Sequence, residues 1–120
     1  MSGVYVRFRV GSKGYALPVE HVREVAEAGL LSPVPGAPDP VLGVRNLHGQ
    51  VLPVVDLGVV LGVEHERDTS RLLIAEAGSR RAGLAVDWVD DVGALPGEGD
   101  DPEILDLEDV FAAVEAGAAA

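Results

Sequence analysis

The sequence contains no cysteine and no long apolar run. Without cysteine, the chain has no disulfide framework, no thiolate nucleophile and no zinc site built on Cys ligands. No segment approaches the roughly 20 apolar residues that a transmembrane helix requires, and the amino-terminal residues lack the apolar core of a signal peptide. These absences predict a cytoplasmic protein without direct membrane contact.

Aromatic residues are also rare, at 4% of the 120 residues, and there is a single methionine. Apolar residues nevertheless make up 48% of the chain, which is enough for a packed core and too much for a disordered tail. The core therefore has to be built from small aliphatic side chains, above all from 20 valines, which favour β-strands. The length fits one ordinary domain or two very small units.

Positive charge is scarce in the second half of the chain. Residues 1–60 carry five acidic and five basic side chains, whereas residues 61–120 carry fifteen acidic and four basic ones. Ten acidic residues and no Lys or Arg lie between Asp87 and Asp109, within a net charge of −11. This charge would repel nucleic-acid phosphates and anionic lipids, so we expect neither as a binding partner.

The first 30 residues predict strands. Residues 4–10 alternate between apolar and other side chains, and the turn residues at 11–14 lead into the apolar residues 15–17, as in a β-hairpin. Pro18 limits the second strand of that hairpin. Residues 19–28 predict a helical turn that leads into a further strand.

Four prolines between residues 33 and 40 predict a surface loop, because neither a helix nor an interior strand tolerates that density. A second hairpin is predicted over residues 41–57 with its turn at His48-Gly49, followed by a short helical segment that ends near Gly62. At the carboxyl end, residues 108–116 predict an amphipathic helix.

An internal repeat relates the two halves of the chain. Residues 78–92 match residues 11–25 at a constant offset of 67, and the apolar pairs Leu17/Leu84 and Val22/Val89 coincide. Such a match predicts two units of similar fold.

The second copy of the repeat is shorter. The residues Ile104-Leu105-Asp106-Leu107 match Val54-Val55-Asp56-Leu57 at an offset of only 50, so the second copy lacks 17 residues, which correspond to the proline loop and much of the second hairpin. We expect a first β-barrel subdomain over residues 1–66 and a reduced second one, with the terminal helix, over residues 67–120. A sheet that lacks a strand exposes an edge, which is typically protected or paired with another chain.

No motif for catalysis or cofactor binding occurs. The three histidines, His21, His48 and His65, lie far apart without metal-ligand spacing, and neither a serine elbow nor a glycine-rich phosphate loop is present. The clustered acids lack the alternation of a calcium loop. We therefore expect no enzyme, no cofactor and no metal, and recognition of another protein as the function.

Several motifs, in order, resemble the CheW-like family. The resemblance is strongest across the first half and continues into the second. The matching segments are Tyr15-Ala16-Leu17-Pro18-Val19, Val22-Arg23-Glu24-Val25, Pro33 to Pro38, Leu42 to Gly49, Val51 to Leu57, Arg71 to Ile74, Gly83 to Asp87 and Ile104 to Leu107.

The resemblance implies an all-β fold of two pseudo-symmetric SH3-like barrels, the second reduced, with a short C-terminal helix. It also implies a non-catalytic adaptor in chemotaxis and two-component signal transduction. The implied partners are the regulatory domain of a CheA-type histidine kinase and the cytoplasmic tip of a chemoreceptor, with recruitment to membrane receptor arrays. A homodimer through the exposed edge of the shortened barrel is a further expectation.

By motif position, the resemblance implies a receptor-binding groove. The candidate residues also have structural explanations. The two glycines could be required for tight backbone geometry, Val22 could belong to the core, and Asn46 could cap its own turn. Where the family pattern has Asn-Leu-Arg-Gly, this chain has His48, which lacks the fixed cation of Arg. The candidate residues are Val22, Glu24, Gly43, Asn46, His48 and Gly49.

Two alternatives remain open. The first is a CheW-like scaffold or competitor in a pilus, gliding or localisation pathway, because the shortened copy is the one expected to supply a barrel contact in adaptor–kinase rings. The second is a small protein that binds a cationic ligand through the acids of residues 87–109.

Overall fold

The computed structural model describes residues 3–63, 71–94 and 102–116. Strands account for most of these residues, as the valine-rich composition predicts. The elements in chain order are β1 (Val4–Val10), β2 (Lys13–Pro18), a 3-10 helix (Val19–His21), β3 (Val22–Glu27), β4 (Val41–Leu47), β5 (Gln50–Asp56), α1 (Leu57–Leu61), β6 (Arg71–Ala77), β7 (Arg80–Val86), β8 (Trp88–Ala94), β9 (Glu103–Ile104) and α2 (Leu107–Glu115).

The strands form two sheets. One has four strands in the order β8-β1-β2-β9, and the other has five in the order β3-β6-β7-β5-β4. Neighbouring strands are antiparallel except β2 with β9 and β5 with β7, which run parallel. The prediction of an all-β fold with two related subdomains, the second reduced, and a C-terminal helix is confirmed.

The sheets follow the sequence repeat, with an exchange of strands. The hairpin β1-β2 pairs with β8 from the second copy, and the hairpin β6-β7 pairs with β3 from the first copy. The same exchange pairs β9 with β2 and β5 with β7. Each sheet therefore takes strands from both sides of the predicted division at residue 66, which itself lies outside the described residues.

The shortening of the second copy removes one strand. In the first copy, β4 pairs antiparallel with the outer side of β5. Its counterpart is absent from the four-stranded sheet as far as the structure describes the chain, so β9 is an edge strand there.

The core lies between the sheets and the two helices. Its largest buried side chains include Phe8 and Tyr15, whose rings stack with centroids 6.0 Å apart. Leu73 and Leu84 join them from the five-stranded sheet, and Phe111 from α2. A smaller cluster packs separately and consists of Leu52, Val54, Leu72, Ile74 and Ala85.

The other edge of the four-stranded sheet, β8, carries acidic residues that form ion pairs. Asp91 lies 3.5 Å from the Arg7 guanidinium and Asp90 lies 3.1 Å from that of Arg9. Charged side chains on an edge strand discourage pairing with further chains, so β8 is a protected edge. None of the helices in the described segments is long and apolar enough to cross a membrane.

Candidate functional site

Two of the candidate residues, Glu24 and His48, contact each other. His48 and Gly49 form the two-residue turn between β4 and β5 with φ angles of 53° and 80°, and a type I′ hairpin turn requires such positive values at both positions. The His48 Nε2 atom lies 3.0 Å from Oε1 of Glu24 on β3. Because β3 and β4 are opposite edges of the five-stranded sheet, the sheet curls far enough for side chains from both edges to meet.

This contact is accessible from outside. The His48 side chain is 73% exposed and the Glu24 side chain 40% exposed. An exposed ion pair contributes little to stability, since water screens it and ordering both side chains costs entropy. The arrangement therefore presents one carboxylate and one imidazole to a binding partner more than it holds the fold together.

A network of charged side chains lies beside the contact. Glu76 on β6 accepts hydrogen bonds from Arg23 at 3.2 Å and from Arg81 at 2.7 Å, and Arg81 also donates to the side-chain oxygen of Gln50. The pKa of the Glu76 carboxyl is lowered below its usual 4.5, mainly by the hydrogen bond from Arg81. Burial raises this pKa, but the positive charges of Arg81 and Arg23 lower it further. Glu76 is therefore ionised at neutral pH and orients two guanidinium groups.

A cavity of about 250 Å³ separates the contact from the network. Leu47, Leu52 and Ile74 form its apolar lining. Small-molecule sites usually measure 300 Å³ or more, so this cavity suits one or two side chains of a protein partner better than a metabolite. The polar lining residues are Arg23, Glu24, His48, Gln50 and Arg81.

The remaining candidate residues do not line this cavity. Val22 begins β3 and packs against the main core. Asn46 lines a different depression, which Val44 and Val51 also line, on the outer side of the β4-β5 hairpin. Gly49 shares the turn with His48.

Close packing explains why position 43 is a glycine. Its φ angle is 154°, and a Cβ atom at this position would lie 2.6 Å from the backbone oxygen of Ser32. The proline loop approaches there because Ser32 and Val44 exchange two backbone hydrogen bonds of 2.9 Å. The absence of a side chain at Gly43 thus lets the loop pack onto β4.

Sequence reasoning missed the arginines and Glu76. Arg23 adjoins a candidate residue, and Arg81 is one of only four basic residues in the acidic second half. The scarcity of basic residues in this half of the chain is the sequence feature that could have singled out Arg81. Glu76 and Arg81 pair within the β6-β7 hairpin, but Arg23 on β3 and Gln50 on β5 reach them only through the exchange of strands between the two copies, which the sequence does not reveal.

The two histidines that the structure describes, His21 and His48, have separate partners. His21 Nδ1 lies 3.3 Å from the backbone oxygen of Glu76, and His48 contacts Glu24. His65 lies outside the described residues. Among the residues that the structure describes, no group of three or more His, Cys, Asp or Glu side chains could hold a metal ion.

Comparison with known proteins gives a consistent result. Residues 4–115 match the family model described as "CheW-like domain". The chain is 40% identical over 89 residues to the chemotaxis protein CheW of Rhizobium meliloti, covering 72% of this chain and 57% of that protein. It is 38% identical over 112 residues to a probable chemotaxis protein CheW of Rhizobium etli, covering 89% of this chain and 72% of that protein.

A solved structure is also similar. The scaffolding protein TtCheW from Thermoanaerobacter tengcongensis superposes with a TM-score of 0.72 at 31% identity, over 78% of this chain and 66% of that one. The chain thus spans less than two thirds of the Rhizobium meliloti protein and of TtCheW.

Proposed function

Because the chain belongs to the CheW-like domain family, we propose that it is a non-catalytic adaptor that couples chemoreceptors to a CheA-type histidine kinase in chemotaxis-type signal transduction. The regulatory domain of the kinase and the cytoplasmic tip of the receptor are the two partners. Through them the chain is recruited to receptor arrays at the membrane. Its task is to hold two proteins in a defined arrangement, which requires surfaces of suitable shape and charge and no reactive groups.

The contact between Glu24 and His48 beside a cavity with an apolar floor of Leu47, Leu52 and Ile74 and charged residues around it is the observation that carries the receptor-binding part of this proposal. A receptor helix could insert an apolar side chain against Leu47 and Ile74 and meet charged groups of both signs at the rim. Of the six candidate residues, we assign Glu24 and His48 to direct contact with the receptor, with Gly49 completing the turn that presents His48. Val22 packs against the core, Gly43 lets the proline loop pack onto β4, and Asn46 lines a different depression.

Arg81 complements His48 in the groove. The turn residue lacks the permanent charge that the family pattern has there, whereas the Arg81 guanidinium, held by Glu76, borders the same cavity. Carboxylates of the receptor could therefore bind the Arg81 guanidinium on β7. This gives the chain a way to bind an acidic receptor surface without Arg in the turn.

Calorimetric titration tests the two partners separately. The regulatory domain of a CheA-type kinase from the same organism is titrated first, and a soluble fragment of a chemoreceptor tip second, both at physiological salt. Micromolar one-to-one binding to both supports the adaptor role. Absence of binding to both at tens of micromolar contradicts it.

A substitution in the groove distinguishes the receptor site. Glu24→Ala should weaken receptor binding by about tenfold, since it removes the acidic group at the rim that would meet a basic receptor side chain, and should leave kinase binding unchanged. Glu115→Ala, which removes an exposed carboxylate at the end of α2, is the matched control. Equal effects of the two substitutions would place the receptor elsewhere on the molecule.

The missing strand favours a second candidate function. In a CheW-like scaffold or competitor of a pilus, gliding or localisation pathway, a reduced second sheet would bind one partner and fail to bind the other. Kinase binding without receptor binding, or the reverse, would support this candidate. A homodimer through the exposed edge remains a prediction, which sedimentation velocity tests directly.

A further inference from the structure

Within residues 3–63, 71–94 and 102–116, no strand pairs with the outer edge of β9, whereas β4 pairs with its repeat counterpart β5. Ile104 of β9 corresponds to Val54 of β5, which pairs with Gly43 of β4. Val54 is 1% exposed, whereas Ile104 is 53% exposed. Val54 is buried in the smaller cluster with Leu72 and Ile74, whereas Ile104 belongs to neither core cluster.

Backbone groups at this edge are directed outward. The Leu105 N–H donates to the Ala16 oxygen at 2.9 Å, so residues 103 and 105 face β2. Because the direction of hydrogen bonding alternates along a strand, the N–H groups of Ile104 and Asp106 face the opposite side.

The first copy shows what such a group binds. Asp56, the counterpart of Asp106, donates its backbone N–H to the Pro40 oxygen at 2.7 Å, just before β4 begins. Among the described residues, no backbone oxygen accepts from Asp106 N–H. A strand added antiparallel to β9 would supply this acceptor, as in β-strand addition to an exposed edge.

A depression of about 340 Å³ with a mixed apolar and acidic lining accompanies the edge and could receive a side chain of the added strand. It lies between β9 and the two helices, and its apolar lining residues are Val60, Leu61, Ile104, Leu105, Val110 and Ala113.

The charge around the depression defines the occupant. Glu103, Asp106 and Asp109 line it, and no Lys or Arg is among its lining residues, although Lys13 of β2 lies 3.3 Å from the Glu103 carboxylate. Acidic groups therefore outnumber basic ones at this surface. A second copy of this chain would bring a net charge of −11 to an already acidic surface, whereas a basic strand would be attracted.

We propose that the outer edge of β9 is a docking site for an extended, basic segment of a partner protein, which pairs antiparallel with β9 as β4 pairs with β5. This surface lies on the four-stranded sheet and shares no residue with the receptor groove on the five-stranded sheet. The site therefore stands independently of the proposed adaptor role.

The test is a titration of the full chain, labelled with ¹⁵N, with a capped peptide of alternating lysine and valine. Binding should shift the amide signals of Ile104 and Asp106 and slow their hydrogen exchange. The matched glutamate–valine peptide and spermine should bind at least about tenfold more weakly, because the first has the wrong charge and the second has no backbone.

Two substitutions separate the backbone from the charge. Ile104→Pro removes the outward N–H while leaving the bond from Leu105 to Ala16, and should weaken peptide binding by about fivefold relative to Ile104→Val. Asp109→Asn, outside the strand, should weaken it by about two- to fivefold at low salt. It provides a second readout if Ile104→Pro does not fold.

Three results would overturn the proposal. One is the absence of shifts at Ile104 and Asp106 with the lysine–valine peptide. Another is equal binding of the glutamate–valine peptide or spermine. The third is a concentration-dependent change of these amides without peptide, which would identify a second copy of the chain as the occupant.

Discussion

Asp56 and Asp106 cap the amino termini of α1 and α2 in the same way, although one is fully buried and the other is exposed. Asp56 Oδ1 accepts from the Gly58 N–H at 3.0 Å, and Asp106 Oδ1 accepts from the Glu108 N–H at 2.9 Å. The exposed fraction of Asp56 is 0%. The same helix cap is thus buried in the first copy, where β4 lies beside β5, and exposed in the second, where no described strand lies beyond β9.

Replacement of each cap by alanine should therefore have unequal effects. Asp106→Ala should lower the free energy of unfolding by about 1 kcal/mol, the usual loss for an N-cap. Asp56→Ala should cost more, about 2 kcal/mol, because it also leaves buried groups without their partner. Urea denaturation of both variants measures the difference, and equal losses would contradict the role of burial.

Gly43→Ala should destabilise the chain by roughly 2 kcal/mol or more, since the new Cβ would lie 2.6 Å from a backbone oxygen that cannot move without displacing the proline loop. Gly93→Ala is the control, because Gly93 is also a strand glycine and a Cβ added there would meet no atom within 4 Å. Thermal unfolding of the two variants should rank Gly43→Ala well below Gly93→Ala. The reverse order would refute the close approach of the loop.

The ion pairs of Glu76 predict a pH dependence of stability. The pKa of Glu76 is lowered in the folded chain, mainly by the hydrogen bond from Arg81, so its contribution is present above its usual value of 4.5 and disappears as pH falls through the folded value. Glu76→Gln should lower the melting temperature at pH 7 and have little effect near pH 3. A constant difference between the two proteins across this range would exclude Glu76 as the cause.

The binding of a receptor fragment should respond to a permanent charge at position 48. His48→Arg should bind an acidic receptor surface more tightly than the wild-type chain at neutral pH, because guanidinium is always charged and offers a fixed set of donors. Calorimetry compares the two proteins, and equal affinities would reject a contact between residue 48 and a receptor carboxylate.

Local structure followed closely from the sequence. The valine alternation predicted β1, Pro18 ended β2, and the His48-Gly49 pair formed the turn of the second hairpin. The predicted helix over residues 108–116 agrees with α2 (Leu107–Glu115). These features depend on residues that are close together in the chain, so local sequence patterns are sufficient to predict them.

The arrangement of the strands and the site did not follow in the same way. The offset of the repeat indicated a missing strand, but nothing in it specified that β3 and β8 would each pair with the other copy. The contact of Glu24 with His48 depends on the curl of a whole sheet. Pairing over such separations is decided by packing of the entire core, which local patterns do not contain.

The exchange of strands has a consequence for how the chain acquires its structure during synthesis. The hairpin β1-β2 is among the first segments to leave the ribosome, but its neighbour β8 ends only at Ala94, and β3 has to wait for β6. Neither sheet can be completed from the first half alone, so β3 and one side of each early hairpin remain unpaired while translation continues. Folding of the two sheets is therefore a single late event, and a chain cut near residue 66 should yield two fragments that are stable only in each other's presence.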